Sequence, residues 1–101
     1  MDNRLVLHEL LCEILGSRNV YFQPPASVKM KYPAIKYSRN NIDNKSADDS
    51  IYIQIYSYQI IVIDEDPDSK IVNKISRLPR IKWDTNYAAD NLYHEVFTLI
   101  Y

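Results

Sequence analysis

The stretch that decides the fold is Ile51–Asp64, which reads IYIQIYSYQIIVID. It is rich in β-branched and aromatic residues and contains neither glycine nor proline, which is typical of a β-strand. The apolar residues of its first half share one face of such a strand, and those of its second half share the other. These two sets are Ile51, Ile53 and Ile55, and Tyr58, Ile60 and Val62. A β-bulge near Ser57 would explain the change of face, and so would a strand that is covered on both faces.

A helix is predicted before this strand. Leucines and isoleucines recur at the three- and four-residue spacing of one helix face. They are Leu7, Leu10, Leu11, Ile14 and Leu15. Asp2 or Asn3 can cap the start of the helix, and Gly16 suits the left-handed residue that ends many helices. His8 is expected on the polar side.

A second helix is predicted directly after the strand. Asp66 is the expected N-cap, Pro67 the first helical residue and Pro79 the stop. The acidic residues at 64–68 would then face the positive end of the helix dipole. An apolar stripe would be buried against the sheet, formed by Ile71, Val72, Ile75 and Leu78.

Three shorter strands complete the predicted fold, at residues 34–38, 80–85 and 92–101. The polar residues 40–50 are predicted as a solvent-exposed loop, and residues 86–91 as a turn. This order of elements predicts a single α+β domain over residues 1–101, with a mainly antiparallel β-sheet and two α-helices packed on one face.

Composition excludes several kinds of site. The chain of 101 residues has one glycine, one cysteine and two histidines, and its formal net charge is -1. Glycine-rich phosphate loops, intrachain disulfides, multi-cysteine zinc sites and three-histidine sites are therefore excluded. No run of 18 apolar residues exists and the start does not look like a signal peptide, so we expect a soluble protein without a membrane partner. No cofactor is expected.

Three groups of side chains are candidates for catalytic or metal-binding chemistry. Asp84, His94 and Glu95 would form an acid–base set if neighbouring strands brought them together. His8 and Cys12 are four residues apart and can share one helix face, but Cys12 is more commonly a small core residue. The acidic residues could hold a divalent cation, although capping a helix is the more ordinary use for them. They are Asp64, Glu65, Asp66 and Asp68. The chain is not expected to be an enzyme.

Residues 17–42, here called the basic segment, carry five cations and no acidic residue. The cations are Arg18, Lys29, Lys31, Lys36 and Arg39. Four aromatic residues are interleaved with them, namely Tyr21, Phe22, Tyr32 and Tyr37. Cations with stacking aromatics suit single-stranded nucleic acid, but the same aromatics can simply anchor an irregular segment to the core.

The tyrosines favour a protein that assembles with other chains. The sequence has nine of them, and many lie in or beside predicted strands. Those in the second half of the chain are Tyr52, Tyr56, Tyr58, Tyr87, Tyr93 and Tyr101. Tyrosine combines apolar area with a polar tip and is enriched at interfaces. A chain this small cannot bury all of them internally, so an interaction or structural protein is favoured over an enzyme.

The order of elements resembles a known family. Helix, proline-led strand, polar loop, long strand, second helix and two closing strands follow one another as in the small tail-terminator and tail-completion proteins of long-tailed bacteriophages. Two stretches in particular are similar to small head–tail connector components, LLCEILGSRNVYFQPP (10–25) and DNLYHEVFTLIY (90–101). The resemblance covers nearly the whole chain and rests on the order of the secondary-structure elements, the chain length and the general character of the sequence.

The resemblance implies a virion protein of the neck or tail, assembled in the cytoplasm of the bacterial host. Six copies would form a homo-oligomeric ring that caps the head-proximal end of the tail tube and stops its polymerisation. The ring would contact the tail tube protein and the neck connector, and DNA would pass through its lumen without sequence-specific recognition. A head-completion, stopper or minor capsid protein is the alternative within this class, and a small nucleic-acid-binding module the alternative outside it.

Separated charges suggest how copies could meet. Lys29, Lys31 or Arg39 of one copy could face Asp64, Glu65 or Asp68 of the next, and such pairs would set orientation more than affinity. The polar residues 40–50 could reach a neighbour or the tube. The candidate interface residues are Lys29, Lys31, Lys36, Arg39, Asn41, Asp43, Lys45, Asp48, Asp64, Glu65, Asp68 and Tyr101.

Overall fold

The computed structural model describes residues 4–47 and 51–101. Its helices are α1 (Arg4–Leu15) and α2 (Lys70–Ile75). Its strands are β1 (Val20–Phe22), β2 (Ala34–Ala47), β3 (Ile51–Asp64), β4 (Ile81–Ala89) and β5 (Leu92–Ile100). They form one sheet in the order β1-β2-β3-β5-β4, in which only the β1–β2 pair is parallel. The predicted α+β class with a mainly antiparallel sheet and two helices is confirmed.

The core lies between the two helices and one face of the sheet. Leu7 and Leu11 of α1 and Ile75 of α2 are fully buried there. The strands contribute Val20, Ile35, Tyr37, Tyr58, Ile60, Val62, Phe97 and Leu99. Helix α1 ends as predicted, because Gly16 has a φ of 80° and its N–H donates to the Cys12 carbonyl at 2.9 Å. A left-handed residue of this kind costs glycine no steric strain.

Strand β3 has the predicted bounds, and the bulge lies in its partner. The pairing of β2 with β3 shifts between Arg39 and Asn41, opposite Tyr58 and Ser57. The pairing of β3 with β5 runs without a shift from Ser57 to Asp64. Within this stretch, alternate residues of β3 face the helices, while Ile63 is buried on the other face. A bulge in β2 does not change the face of any β3 residue, so the bulge explanation is wrong for β3, and the burial of Ile63 supports covering on both faces in this second half.

The prediction of a loop at residues 40–50 is wrong for residues 40–47, which continue β2. Residues 48–50 lie outside the described residues. Residues 41–47 of β2 pair with residues 51–57 of β3, beyond the point at which β5 ends opposite Ser57. We call the paired residues 41–47 and 51–56 the arm. Residues 41–44 of the arm are exposed, so this part of β2 shows no apolar alternation in the sequence.

The arm makes the molecule long. The principal extents are 52 × 27 × 23 Å, and the radius of gyration is 14.8 Å. A compact domain of this length has a radius of gyration of about 13 Å. A two-stranded ribbon is marginally stable by itself in water, so the arm gains from any further strand that pairs with it.

Helix α2 begins later than predicted. Its N-cap is Ser69, whose Oγ accepts a hydrogen bond from the Ile71 N–H at 3.3 Å. Asp66 is not the cap, because its Oδ1 accepts from the Asp68 N–H at 2.9 Å in a turn before the helix. The helix ends at Ile75, before Pro79. Its apolar stripe packs against the core as predicted, with Ile71, Val72 and Leu78 half-buried beside Ile75.

Strands β4 and β5 form a hairpin with a tighter turn than predicted. Residues 86–89 continue β4, and the turn is Asp90-Asn91, both with positive φ. Two left-handed central residues are the mark of the two-residue turn that matches strand twist, and Asp and Asn tolerate this conformation. Every β4 residue after Ile81 is exposed, so the strand again lacks the alternation by which a sequence shows a buried face.

Candidate assembly surface

The surface that could hold a second chain is made by the two sides of the sheet. Among the described residues, β4 pairs with β5 alone, so one backbone edge of β4 is open. At the other side, β1 covers β2 only from Ile35 to Tyr37. From Asn41 onward, described β2 pairing is with β3 alone. Open edges present unpaired N–H and C=O groups and are templates for another strand.

The basic segment lies at the β1–β2 side of the sheet. Lys29 and Lys31 are exposed, and Lys36 and Arg39 are half-buried in β2. Arg18 is bound by Glu9 through two hydrogen bonds of 2.9 and 3.1 Å, which leaves it less available to an outside anion. The lysines are therefore better placed than Arg18 to meet an acidic partner.

The aromatic residues of the basic segment serve mainly to anchor it. Tyr37 is buried, and its ring centroid lies 4.9 Å from that of Phe22. The guanidinium groups of Arg4 and Arg39 lie 4.4 and 5.6 Å from the Phe22 centroid. Of the four interleaved aromatics, Tyr32 is the exposed one, at 39%. A platform on which several bases could stack is not assembled by this set of side chains.

The acidic loop consists of Asp64, Glu65, Asp66 and Asp68, and it follows the end of β3. Asp64 Oδ1 accepts a hydrogen bond from the Asp66 N–H at 3.1 Å, which starts the turns that lead to Ser69. Glu65 and Asp68 are exposed. Within the part of the chain that the structure describes, no group of three His, Cys, Asp or Glu side chains is placed to hold a metal ion. The loop is thus a turn with outward charge rather than the capped helix start that we predicted.

The remaining candidate interface residues divide between the arm and the core. Asn41 and Asp43 are exposed on the arm, Lys45 lies in its β2 strand, and Asp48 lies outside the described residues. Tyr101 is half-buried, packs against the core and donates its N–H to the Tyr56 carbonyl at 3.1 Å. The chain's end therefore belongs to the body, next to the base of the arm.

Three aromatic residues on the β4–β5 hairpin are exposed. Tyr87 and Tyr93 are singled out in the sequence without a predicted position on the sheet, and Trp83 is missed. Trp83, Tyr87 and Tyr93 are 52%, 49% and 44% exposed. Trp83 Nε1 donates to Glu95 Oε2 at 2.7 Å, which fixes the indole on the face that also carries the helices. Tyr87 lies opposite His94 and so points to the other face, because the bulge between Trp83 and Thr85 shifts the alternation of β4. Large aromatics in an otherwise polar strand are the sequence signal that could have located Trp83 and Tyr87.

The acid–base set of Asp84, His94 and Glu95 does not converge. Asp84 Oδ2 accepts from the Thr98 hydroxyl, whereas Glu95 accepts from Trp83 on the opposite face. His94 stacks on Tyr87 with a centroid distance of 4.5 Å. Side chains of consecutive strand residues point to opposite faces, which separates His94 from Glu95.

The surroundings of His8 and Cys12 also differ from those that a catalytic pair needs. Cys12 is buried in the core as expected, and that burial raises the pKa of its thiol, which disfavours the nucleophilic thiolate. His8 Nδ1 shares a hydrogen bond of 2.7 Å with Tyr37 Oη, to which Arg4 Nη1 also donates at 3.5 Å. Burial and the charges of Arg18 and Arg4 lower the pKa of His8.

This lowered pKa predicts acid sensitivity. The unfolded chain, in which His8 titrates near its ordinary pKa of 6.5, binds the proton before the folded chain does. The free energy of unfolding should therefore fall as the pH drops below that value, by a fraction of a kcal/mol because His8 is only half-buried. Urea unfolding at about pH 7 and about pH 5 should show a larger loss in the wild type than in His8→Gln. Equal losses in the two proteins would contradict the assignment.

No protein-family model matches the chain, and no curated protein matches its sequence. Neither helix of the described residues is both long and apolar enough to cross a membrane.

Proposed function

We propose that the chain is a structural subunit that assembles with copies of itself, as a tail terminator or tail-completion protein of a long-tailed bacteriophage does. In this role the copies form a ring, with six as the expected number, at the head-proximal end of the tail tube. The ring stops tube polymerisation and binds the neck connector, while DNA passes through its lumen. A head-completion, stopper or minor capsid role at a nearby station is the alternative.

The observation that carries self-assembly is the under-buried sheet. The arm projects from the body as two strands, and β4 has an open edge with nearly all of its side chains in solvent. Natural proteins protect long open edges or use them for association. The particular role in a phage particle is supported by the resemblance of the sequence and by the compatible α+β fold, in which two helices pack on one face of a mainly antiparallel sheet.

Charge separation supports the orientation of neighbouring copies. Lys29 and Lys31 are exposed at one side of the sheet, and Glu65 and Asp68 are exposed beyond the end of β3. In the proposed ring, the basic segment of one copy faces the acidic loop of the next. Because these side chains are solvated, their attraction is modest and is weakened by salt.

The test is native mass spectrometry of the wild type and of the Lys29→Glu/Lys31→Glu variant over a concentration series. We expect a discrete closed oligomer for the wild type and a shift toward smaller species for the variant. Lys70→Glu/Lys74→Glu is the matched control, since it reverses two exposed lysines on α2 and changes the net charge equally. A wild type that stays monomeric at every concentration would contradict self-assembly, and equal spectra for the two variants would contradict the charge pairing.

The nucleic-acid module is separated from this proposal by a binding experiment. Phosphate contacts release counterions, so such a module would bind short oligonucleotides with an affinity that falls steeply with salt. The arrangement of Phe22 and Tyr37 as internal anchors favours the structural role.

A further inference from the structure

The two open edges lie on opposite sides of the sheet. Each lacks a hydrogen-bonded neighbouring strand, which the other edge could provide. In the described chain, β4 has one hydrogen-bonded neighbour, β5. The β2 strand of the arm has one neighbour, β3, from Asn41 onward. The arm is a ribbon of two strands, and a third strand would stabilise it.

We propose that β4 of one copy pairs with the open β2 edge of the arm of the next copy. This inference rests on the proposed self-assembly and names the surface through which it occurs. The partner is a second copy of this chain, because both edges belong to the same molecule. In the register given below, residues 81–84 of β4 pair with residues 41–44 of the arm, and the rest of β4 turns away at the bulge between Trp83 and Thr85 from the part of β2 that β1 covers.

Strand directions support this contact. Strand β2 is antiparallel to β3, β3 to β5 and β5 to β4, so β2 and β4 of one copy run in opposite directions. A neighbour in the same orientation therefore presents its β4 antiparallel to β2 of the arm. Two different surfaces meet in this contact, so it is heterologous and can repeat from copy to copy.

The other edge of the arm is a poorer partner. Strand β3 and strand β4 run in the same direction, so a neighbour in the same orientation would have to pair there in parallel. Parallel pairing is slightly less stable per residue. The base of that edge is also occupied, since the Tyr101 N–H donates to the Tyr56 carbonyl.

One register suits both faces of the joined sheet. Ile42 lies opposite Tyr56, two residues from the core residue Tyr58, and so shares the helix-bearing face with Trp83. These two side chains are 43% and 52% exposed in the single chain. If Ile42 lies opposite Trp83, antiparallel pairing places Asp43 opposite Lys82. Two exposed apolar side chains and two opposite charges then become cross-strand pairs, which are the stabilising unit of a sheet.

Cysteine cross-linking tests this register. Opposite residues of antiparallel strands have Cα atoms about 4.5–5.5 Å apart, which is within the range of a disulfide. The variant Asp43→Cys/Lys82→Cys carries one cysteine of the proposed pair at each open edge, one in β2 of the arm and one in β4. Under oxidation it should form a ladder of covalent multimers on a non-reducing gel, because each copy can be linked to two neighbours. The wild type, whose single Cys12 is buried, should form none.

The matched control is Asp43→Cys/Asp90→Cys, in which the second cysteine lies in the β4–β5 turn, eight residues from Lys82 along the chain. We expect the ladder from the test pair to be at least several-fold stronger. If native mass spectrometry shows an oligomer but the control links as well as the test pair, or neither links, this contact is overturned and the proposed self-assembly stands. If the chain is monomeric and no ladder forms, both are overturned.

Discussion

Replacing Leu11 with alanine is expected to lower the free energy of unfolding by about 3 kcal/mol, within the range of about 2–5 kcal/mol for buried leucines. Leu11 is fully buried at the centre of the contact between α1 and the sheet. The substitution removes apolar contacts and leaves a cavity that rigid strands cannot fill. Because domains are stable by only about 5–15 kcal/mol, the loss is a large fraction of the total.

The matched control is Leu5→Ala in the same helix. Leu5 is 70% exposed, so the same chemical change should cost less than about 0.5 kcal/mol. Thermal and urea unfolding, followed by circular dichroism, measure both variants. The melting temperature of Leu11→Ala should fall by about 15 °C, since about 1 kcal/mol corresponds to about 4–8 °C in a domain of this size. Similar losses at the two positions would contradict the described packing of α1.

Elements that bury a face were predictable, and elements that do not were missed. Strand β3 was predicted with its observed bounds, because its second half lies between β2 and β5 at the centre of the sheet. Helix α1 was predicted from its apolar stripe and Gly16. The polar residues 41–47 predict a loop by themselves, and only their pairing with β3 makes them a strand.

The start of α2 was predicted wrongly for a different reason. A run of aspartates before a proline offers several local hydrogen bonds to the backbone, and either a cap or a turn can use them. The structure uses Asp64 and Asp66 in turns and Ser69 as the cap. The sequence signals place the helix in the right region, but they do not show which of these residues caps it.

The candidate surface was predictable by composition more than by geometry. An excess of tyrosine suggested association, and Tyr87 and Tyr93 are indeed exposed. Tyr58 is instead part of the core, and Trp83 is an exposed aromatic residue that the tyrosine count does not include. Strand order decides which residues share an edge, and contacts between strands that are distant in the sequence are not encoded in any local pattern.

Removing the arm is expected to abolish self-assembly while the body stays folded. Asn41 and Ser57 are direct partners in the β2–β3 pairing, so an Asn-Gly turn can replace residues 42–56 between them. The buried core residues all lie outside the removed segment. The melting temperature should change by less than about 5 °C, an effect of about 1 kcal/mol. Native mass spectrometry should show monomers alone.

Together, arm removal and Leu11→Ala distinguish the residues that this small chain needs for assembly from those that it needs for folding. Leu11→Ala should weaken the body and, at a temperature where it remains folded, leave the oligomer intact, because Leu11 is buried in the core and belongs to neither open edge. Arm removal should do the reverse. An oligomer that survives arm removal would show that copies meet elsewhere. A shortened chain that no longer melts cooperatively would show that the arm supports the body, because the open strands would then be needed for folding.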